Sequence, residues 1–333
     1  MTEPHSTPPT GRSGRLLRRI VLTLILIALV YSGLWYVAAH QMETRLSALL
    51  ASDRFGVGCQ DMAVGGYPVR LTVGCSKLTV DNRARGTSGT FGAIEARAPV
   101  YSPGRIDADL SGPGEFRVAP DLVVSAQWTT ALLSLRTGFS GMQSASLSSQ
   151  DLTGSLTGAA GLMPPLHFAL KAGQGTVTRN GEDLKTDATV QALALSTPEG
   201  TALLPPFDAR LNADLTAQAP VLQGHPLPLR GSQGRLDTLS VDFGNGLIGS
   251  ASGPFAIDDE GLVSGEFDLV IDNIDGWRDA VIAAVPESRS MARNVATMLR
   301  ALSGNSERAK VKLNVRKGTA FLAFIPIGVL PRF

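Results

Sequence analysis

The chain has 333 residues and a net charge of +1, and 44% of its residues are hydrophobic against 18% charged. This composition excludes a disordered chain, and the near-neutral charge gives no electrostatic basis for binding nucleic acid. With 36 glycines and 20 prolines, the sequence favours many short strands and turns over long solvated helices. We therefore expect a mainly β protein with no nucleic-acid partner.

The N-terminal segment is predicted to be a transmembrane helix. Residues 20–39 contain no charged side chain, and a helix of about 20 residues spans the hydrocarbon core of a bilayer. Four arginines precede this run: Arg12, Arg15, Arg18 and Arg19. The positive-inside rule then makes residues 1–19 a cytoplasmic tail and puts a β-rich domain of residues 55–333 across the membrane.

A cleaved signal peptide is the alternative for this segment. Val37-Ala38-Ala39 resembles a small-residue cleavage site. However, the apolar run is longer than the usual signal core of about 7–15 residues. A helical pattern that includes Met42 and Leu46 also continues to about residue 52. The sequence therefore favours a retained single-pass anchor.

Cys59 and Cys75 are the only cysteines. The stretch Gly65-Gly66-Tyr67-Pro68 between them predicts a turn. A hairpin centred on Tyr67 places the two cysteines opposite each other, close to disulfide range. We expect a structural disulfide, with two buried free thiols as the alternative. A metal site is not expected, because no nearby histidine completes a tetrahedral set.

Strand patterns dominate from residue 57 to about 275. Leu71 and Val73 share one parity, whereas Leu78 and Val80 share the other. This switch predicts a bulge or bend near Ser76. Further along the chain, alternating residues around 258–261 and around Lys317-Gly318 predict two hairpins.

A helical segment is predicted near the C-terminus. Asp275 is its expected N-cap, and Gly304 its expected C′ residue. Its apolar stripe consists of Met291, Val295, Met298, Leu299 and Leu302. We expect this stripe to pack against the sheet, although a helix lying on a membrane surface has the same pattern.

Motifs for catalysis are absent from the sequence. It contains no HExxH, G-x-S-x-G, Walker A or dinucleotide-binding pattern. Outside the first 40 residues the histidines are His167 and His225, and neither belongs to a ligand pattern. Asp258-Asp259-Glu260 lacks the alternation of a calcium loop and favours a solvated turn. We expect no catalytic residue, metal or cofactor, with an enzyme of unrecognised type as an alternative.

Two stretches resemble one protein family. Residues 66–71, GYPVRL, are similar to a GfP-x-R element that follows an N-terminal membrane helix. Residues 318–333 resemble the C-terminal pattern dGr-x-flGpiPlGpaPrl, except that Ala323-Phe324 replaces Gly-Pro. Together they resemble domain of unknown function family 2125, whose members are membrane-anchored proteins of alphaproteobacteria. The resemblance implies an inner-membrane anchor and a periplasmic domain, and it carries no activity or catalytic residue.

The N-terminal anchor and the strand pattern of residues 253–257 (GPFAI), Gly261 and residues 265–269 (GEFDL) also resemble AsmA-type periplasmic proteins. The sheets of those proteins curl into grooves that shelter lipid chains. This likeness implies a large curved antiparallel sheet or β-groove. The resulting expectation is lipid binding or envelope maintenance, with the inner membrane and lipid as partners. The alternative is a tethered scaffold that binds another envelope protein through sheet edges or the helix at 287–302.

Overall fold

The computed structural model describes residues 13–51, 56–82, 86–102, 104–119, 121–138, 140–158, 164–225, 227–304, 306–322 and 324–332. Helix α1 runs from Ser13 to Ala51, and its segment Leu17–Thr44 is long and apolar enough to cross a membrane. Residues 1–12 of the predicted tail, and residue 52, lie outside the described residues. Two further helices, α2 (Ile274–Ala284) and α3 (Arg289–Leu302), lie near the C-terminus.

Within the described residues, one antiparallel sheet of 20 strands forms most of the molecule. The first ten strands are β1 (Val57–Gln60), β2 (Ala63–Gly65), β3 (Arg70–Cys75), β4 (Lys77–Asn82), β5 (Thr87–Phe91), β6 (Ile94–Pro99), β7 (Arg105–Leu110), β8 (Gly114–Ala119), β9 (Leu122–Gln127) and β10 (Thr130–Gly138). The last ten are β11 (Gly141–Gly158), β12 (Leu166–Asn180), β13 (Asp183–Ser196), β14 (Ala202–Leu215), β15 (Gln233–Asp242), β16 (Ile248–Ile257), β17 (Val263–Ile271), β18 (Ala309–Arg316), β19 (Thr319–Leu322) and β20 (Ile325–Val329).

Within the described residues the strands form fifteen rows, where a row is one strand or two consecutive strands in line, and the rows follow one another in chain order. Each of the first five rows consists of two consecutive strands, such as β1 with β2 and β3 with β4, because both members pair with the same neighbouring row. From β11 onwards each strand is a row of its own and pairs with the next. Among the described residues the row of β1 and β2 and the strand β20 are the two edges, so the sheet is not closed.

The rows are interrupted at one common level, which we call the seam. The register aligns these residues across eight rows: Asp61, Ser76, Ala93, Gly112, Thr129, Asp151, Lys171 and Ala192. Asp61, Asp151 and Ala192 have left-handed φ angles of 50°, 47° and 51°. Such irregularities bend a strand and increase its twist. Because they coincide in eight successive rows, we expect the sheet to bend along the seam; the predicted large antiparallel sheet is confirmed.

Polar contacts support the backbone at the seam. The Ser76 hydroxyl donates to the Asp61 carboxylate at 2.7 Å, and the Ala192 amide donates to the Asp208 carboxylate at 2.8 Å. These side chains supply partners for groups that a regular ladder would otherwise satisfy. The bulge predicted near Ser76 is therefore one member of a series.

The cysteine pair is a disulfide, with Cα atoms 5.5 Å apart. The register around it differs from the expected one. Val64 lies opposite Val73, so the hairpin is centred beyond Tyr67, and Cys59 pairs with Leu78 instead of Cys75. The two cysteines lie on opposite sides of the seam, Cys59 in β1 and Cys75 in β3. They come together because the pairing of the first two rows is interrupted between them, at Asp61 and Ser76.

The apolar side chains keep to one side of the sheet across the seam. Along the sequence the apolar residues change at the seam from even-numbered positions, such as Val124 in β9, to odd-numbered positions, such as Leu133 in β10. Two contacts show that the halves nevertheless face the same way: the disulfide joins them, and Leu170 Cδ1 lies 3.3 Å from the position of a Cβ on Gly173. The interruption at the seam offsets this change between even and odd positions. The apolar side chains on both sides of the seam therefore lie on the same face of the sheet.

The C-terminal helices pack against the last rows, as expected. Ala296 and Leu299 of α3 form a buried cluster with Ile274, Ala309 and Leu322. The buried stripe is shifted relative to the predicted one. Met291 and Leu302, at its two ends, remain 48% and 53% exposed, because the sheet contacts only the central part of the helix.

The helix boundaries correct one prediction. The N-cap of α2 is Asn273, whose side chain accepts a hydrogen bond from the Gly276 amide at 2.9 Å. Asp275, the expected cap, lies in the first turn and pairs with Arg278. The predicted hairpins are both present, as β16 with β17 and β18 with β19. Gly304, after α3, has the left-handed φ of 65° expected for a C′ residue.

Candidate functional site

A continuous line of apolar residues crosses thirteen successive rows on one face of the sheet, which we call the apolar face. Each residue pairs with the next: Val64, Val73, Ala96, Ala108, Leu133, Leu147, Gly175, Ala188, Leu211, Leu239, Ala251, Leu269 and Val311. The middle of this line is open. Leu147 is 49% exposed, and a Cβ on Gly175 would have no atom within 4 Å.

The opposite face is polar along the neighbouring line. It carries Thr72, Arg97, Asp107, Ser134, Ser146, Thr176, Asp187, Asn212 and Thr238, again paired in order. The Ser134 hydroxyl donates to Asp107 at 2.7 Å, and Asn212 donates to Asp187. Burial raises the pKa of Asp107, but the Ser134 hydrogen bond and the Arg105 guanidinium outweigh it, so the pKa lies below 3.8. Several polar side chains of this face are thus paired with one another.

Helix α2 covers one end of the apolar face. The Trp277 indole lies over Gly249, where an added Cβ would be 2.8 Å from Cζ2. Its Nε1 donates to the Ile248 carbonyl at 3.3 Å, and its ring meets Phe243 edge-on at 5.4 Å. Beside it is a pocket of about 200 Å³, lined mainly by Leu239, Val241, Ala251, Leu269, Ile271 and Trp277.

A short 3-10 helix, Ala219–Gln223, forms a second cover. It contacts β11 and β12. Ala219 and Leu222 in this helix are only 2% and 6% exposed, and Leu184 on the apolar face is only 2% exposed. The part of the apolar face that includes Leu147 lies outside these two well-packed regions and is accessible from solvent.

Trp128 adds an aromatic surface at the seam. A Cβ on Gly114 would be 2.6 Å from its Cη2, so the ring lies directly over that glycine. Its Nε1 donates to the Leu110 carbonyl at 2.8 Å. Gly114 belongs to the apolar side of β8, since it pairs with Ala126 and Phe91, and Trp128 therefore lies on the apolar face.

The remaining residues singled out in the sequence are not brought together. His167 borders a shallow hollow of about 490 Å³ with Glu115, on the polar face. The His225 ring nitrogen lies 3.1 Å from the Pro220 carbonyl. The Asp258 carboxylate accepts the Glu260 and Leu262 amides at 3.0 and 2.8 Å, so it stabilises a turn. In the described part of the chain no three histidine, cysteine, aspartate or glutamate side chains cluster in a way that suits a metal ion.

A bacterial family described as "Uncharacterized protein conserved in bacteria (DUF2125)" matches residues 35–331. The chain belongs to the DUF2125 family. The match includes the last part of α1 and every strand, which confirms the family resemblance of the two short motifs. No curated protein and no solved structure matches the DUF2125 chain.

Sequence reasoning expected an apolar β-groove in this DUF2125 protein but did not identify the residues of the apolar face or the two tryptophans that border it. The parity switch at Ser76 was visible, and the same switch recurs between Val124 and Leu133. A search for repeated switches at the middle of each row would have located the seam. Exposed contiguous apolar surface generally marks ligand, partner or membrane binding.

Proposed function

We propose that this DUF2125 protein is a non-enzymatic lipid-binding protein of the periplasm, anchored in the inner membrane by α1. Its apolar face would hold the acyl chains of phospholipids. The observation that supports this most is the line of thirteen apolar residues, because half-exposed Leu147 lies at its open centre. Covering such surface by acyl chains is favourable by roughly 25 cal/mol per Å².

The dimensions of the apolar face suit lipid chains. Neighbouring rows are about 4.8 Å apart, so thirteen rows extend for roughly 58 Å. One leaflet contributes about half of the 30 Å hydrocarbon thickness of a bilayer. Helices α2 and α3 cover one end of this line. The open part around Leu147 is therefore the part that can accept acyl chains, and the residues of the line there have no polar side chain.

Contacts of α1 with the domain support a retained anchor. The hydroxyls of Ser32 and Tyr67 are 2.7 Å apart, and the rings of Trp35 and Tyr67 meet edge-on at 5.3 Å. The family match begins at residue 35, before Val37-Ala38-Ala39. The four arginines before the helix favour an external domain, and the disulfide suits an oxidising compartment.

Two matched leucines provide the test of lipid binding. Leu147 on the apolar face and Leu132 on the polar face are 49% and 46% exposed, and they lie in neighbouring rows. The full chain and its Leu147→Glu and Leu132→Glu variants would be purified in mild detergent. Bound lipid would then be extracted and measured by mass spectrometry.

We expect phospholipid with the wild type and with Leu132→Glu, and most of it lost in Leu147→Glu, because a carboxylate in an acyl-chain site must be desolvated. Wild-type protein without bound phospholipid would contradict the proposal, as would equal losses in both variants.

A tethered scaffold is the second candidate. It is favoured by the edge strand β20, which pairs only with β19 in the described part of the chain. Around this edge Phe324, Ile325 and Val329 are 96%, 54% and 77% exposed. An open edge of this kind can accept a strand from another protein. Crosslinking in intact cells from position 329 would give one dominant protein adduct if the scaffold function is correct.

A further inference from the structure

Two turns at the same end of the sheet expose apolar side chains next to α1. The first turn joins β2 to β3, and the second follows β6. Tyr67 and Val69 in the first are 52% and 58% exposed, and Val100 and Tyr101 in the second are 49% and 82% exposed. The Val100 amide donates to the Val69 carbonyl at 3.0 Å, so the turns form one unit. We call this unit the apolar rim.

The apolar rim is fixed against the membrane-spanning part of α1. Tyr67 contacts Tyr31, Ser32 and Trp35, with the Ser32 and Tyr67 hydroxyls 2.7 Å apart. The Tyr31 hydroxyl also donates to the Pro68 carbonyl. All three helix residues lie within Leu17–Thr44, the segment long and apolar enough to cross a membrane.

The position of these contacts along α1 sets the depth of the rim. Ser32 is 13 residues from Arg19, which corresponds to about 20 Å along a helix. With Arg19 at one boundary of a hydrocarbon core about 30 Å thick, Ser32 lies about 10 Å inside the other boundary. Tyr67, whose hydroxyl contacts that of Ser32, then lies inside the hydrocarbon core.

Several backbone groups of the first turn have the partners that such a depth requires. In lipid each backbone polar group needs a partner within the protein. The Gly66 carbonyl accepts the Arg70 amide at 3.2 Å. The Pro68 carbonyl accepts the Tyr31 hydroxyl, the Val69 carbonyl accepts the Val100 amide, and Pro68 has no amide hydrogen.

Charged side chains follow directly after both turns. Arg70 is exposed at the start of β3. Arg105, at the start of β7, is 51% exposed and pairs with Asp107 at 2.8 Å. An arginine in the position of Arg70 extends towards the headgroup phosphates while neighbouring aromatic rings occupy the interface. Along the chain the apolar rim is followed by an arginine and then by a strand. Along the membrane normal the acyl region is followed by the headgroups and then by water, so the two orders agree.

We propose that the apolar rim is inserted in the membrane leaflet on the domain side, so that the apolar face begins at the acyl region. Val64 and Val73, the first two residues of the apolar line, lie in the rows that the first turn connects. The leaflet itself is then the source of the chains that reach the face. This inference rests on the membrane anchor of the proposed function, and it is independent of whether the face binds lipid.

The test uses the full chain with single introduced cysteines, since Cys59 and Cys75 are bonded to each other. Tyr101→Cys reports on the apolar rim. Phe324→Cys is the matched control, because Phe324 is 96% exposed at the opposite edge of the sheet. Thr23→Cys, in the apolar part of α1, reports on the anchor. Each would carry an environment-sensitive fluorophore in vesicles of phosphatidylethanolamine and phosphatidylglycerol that contain acyl-chain quenchers.

We expect acyl-chain quenchers to remove most of the emission at positions 23 and 101 and little at position 324, with the reverse order for aqueous iodide. Quenching at 23 but not at 101 would overturn the inserted rim and leave the anchor intact. Absence of quenching at both positions would overturn the anchor as well. Loss of co-purified phospholipid in the separate Leu147→Glu experiment bears only on the apolar face.

Discussion

The Cα atoms of Cys59 and Cys75 lie 5.5 Å apart, although the sheet pairs Cys59 with Leu78 and Cys75 with Ile94. The disulfide therefore does not connect two directly opposed positions of a hairpin. It connects the two halves of the first rows across the seam, where Asp61 and Ser76 interrupt the ladder. Its location ties the start of the domain together beside α1.

Removal of this disulfide is expected to lower the free energy of unfolding of the domain. The enclosed loop of about 15 residues corresponds to roughly 3 kcal/mol in the chain-entropy account. The double variant Cys59→Ser, Cys75→Ser should therefore unfold at a lower denaturant concentration, followed by circular dichroism of the sheet. Wild-type protein treated with reductant is the control and should show the same shift. If both unfold like the oxidised wild type, the disulfide does not stabilise the domain.

A β-branched residue at Gly249 is expected to displace Trp277. The added Cβ would be 2.8 Å from Trp277 Cζ2, and overpacking of this kind typically costs about 1–3 kcal/mol. Gly249→Val should therefore lower the melting temperature and shift the tryptophan emission. Gly175→Val is the matched control on the same face, because its Cβ meets nothing within 4 Å. Equal melting temperatures for the two variants would show that α2 does not hold the indole in place.

The N-cap of α2 can be separated from its first turn by substitution. Asn273 combines a left-handed φ of 57° with a side-chain hydrogen bond to Gly276. Asn273→Ala loses the cap and strains the backbone, at a cost of about 2 kcal/mol. Asn273→Gly relieves the strain and should cost less. Thermal unfolding of both checks this order, and a larger loss in Asp275→Ala than in Asn273→Ala would restore Asp275 as the important residue.

Acid sensitivity should depend on the polar face. The pKa of Asp107 lies below its ordinary value of 3.8, in part because Ser134 donates to it. A lowered pKa in the folded state stabilises the protein above that ordinary value, and this contribution is lost as pH falls through the folded value. The stability advantage of wild type over Ser134→Ala should therefore be present at neutral pH and shrink below about pH 4. Chemical denaturation at several pH values measures it, and an advantage that is unchanged in acid would exclude this cause.

The sequence predicts those parts of the fold that depend on local patterns. The apolar run of α1, the hairpins around Asp258 and Lys317, and the C′ glycine Gly304 each have a signal within a few residues. The family motifs at residues 66–71 and 318–333 also sufficed for the correct family. The cysteine pair was found although the register assumed for it was wrong.

The apolar face depended on information that is not local. Its thirteen residues come from thirteen different strands, and in the first eight rows both halves share one apolar face only because of the seam. A single parity switch, as at Ser76, predicts one bulge but not its repetition. The exposure of Leu147 depends on where α2 and the helix Ala219–Gln223 end, which the pattern within either segment does not determine.

The chain order of the rows has a consequence for how the domain is assembled. Each row pairs with the one just before it, so no strand has to wait for a distant segment of the chain. Contacts between sequence neighbours generally allow fast folding, and linear arrays of repeated units extend by adding units to a formed end. We expect the domain to form row by row in chain order, starting from the hairpin that touches Ser32 and Trp35. Helix α1 would then provide the surface against which the first row of strands forms.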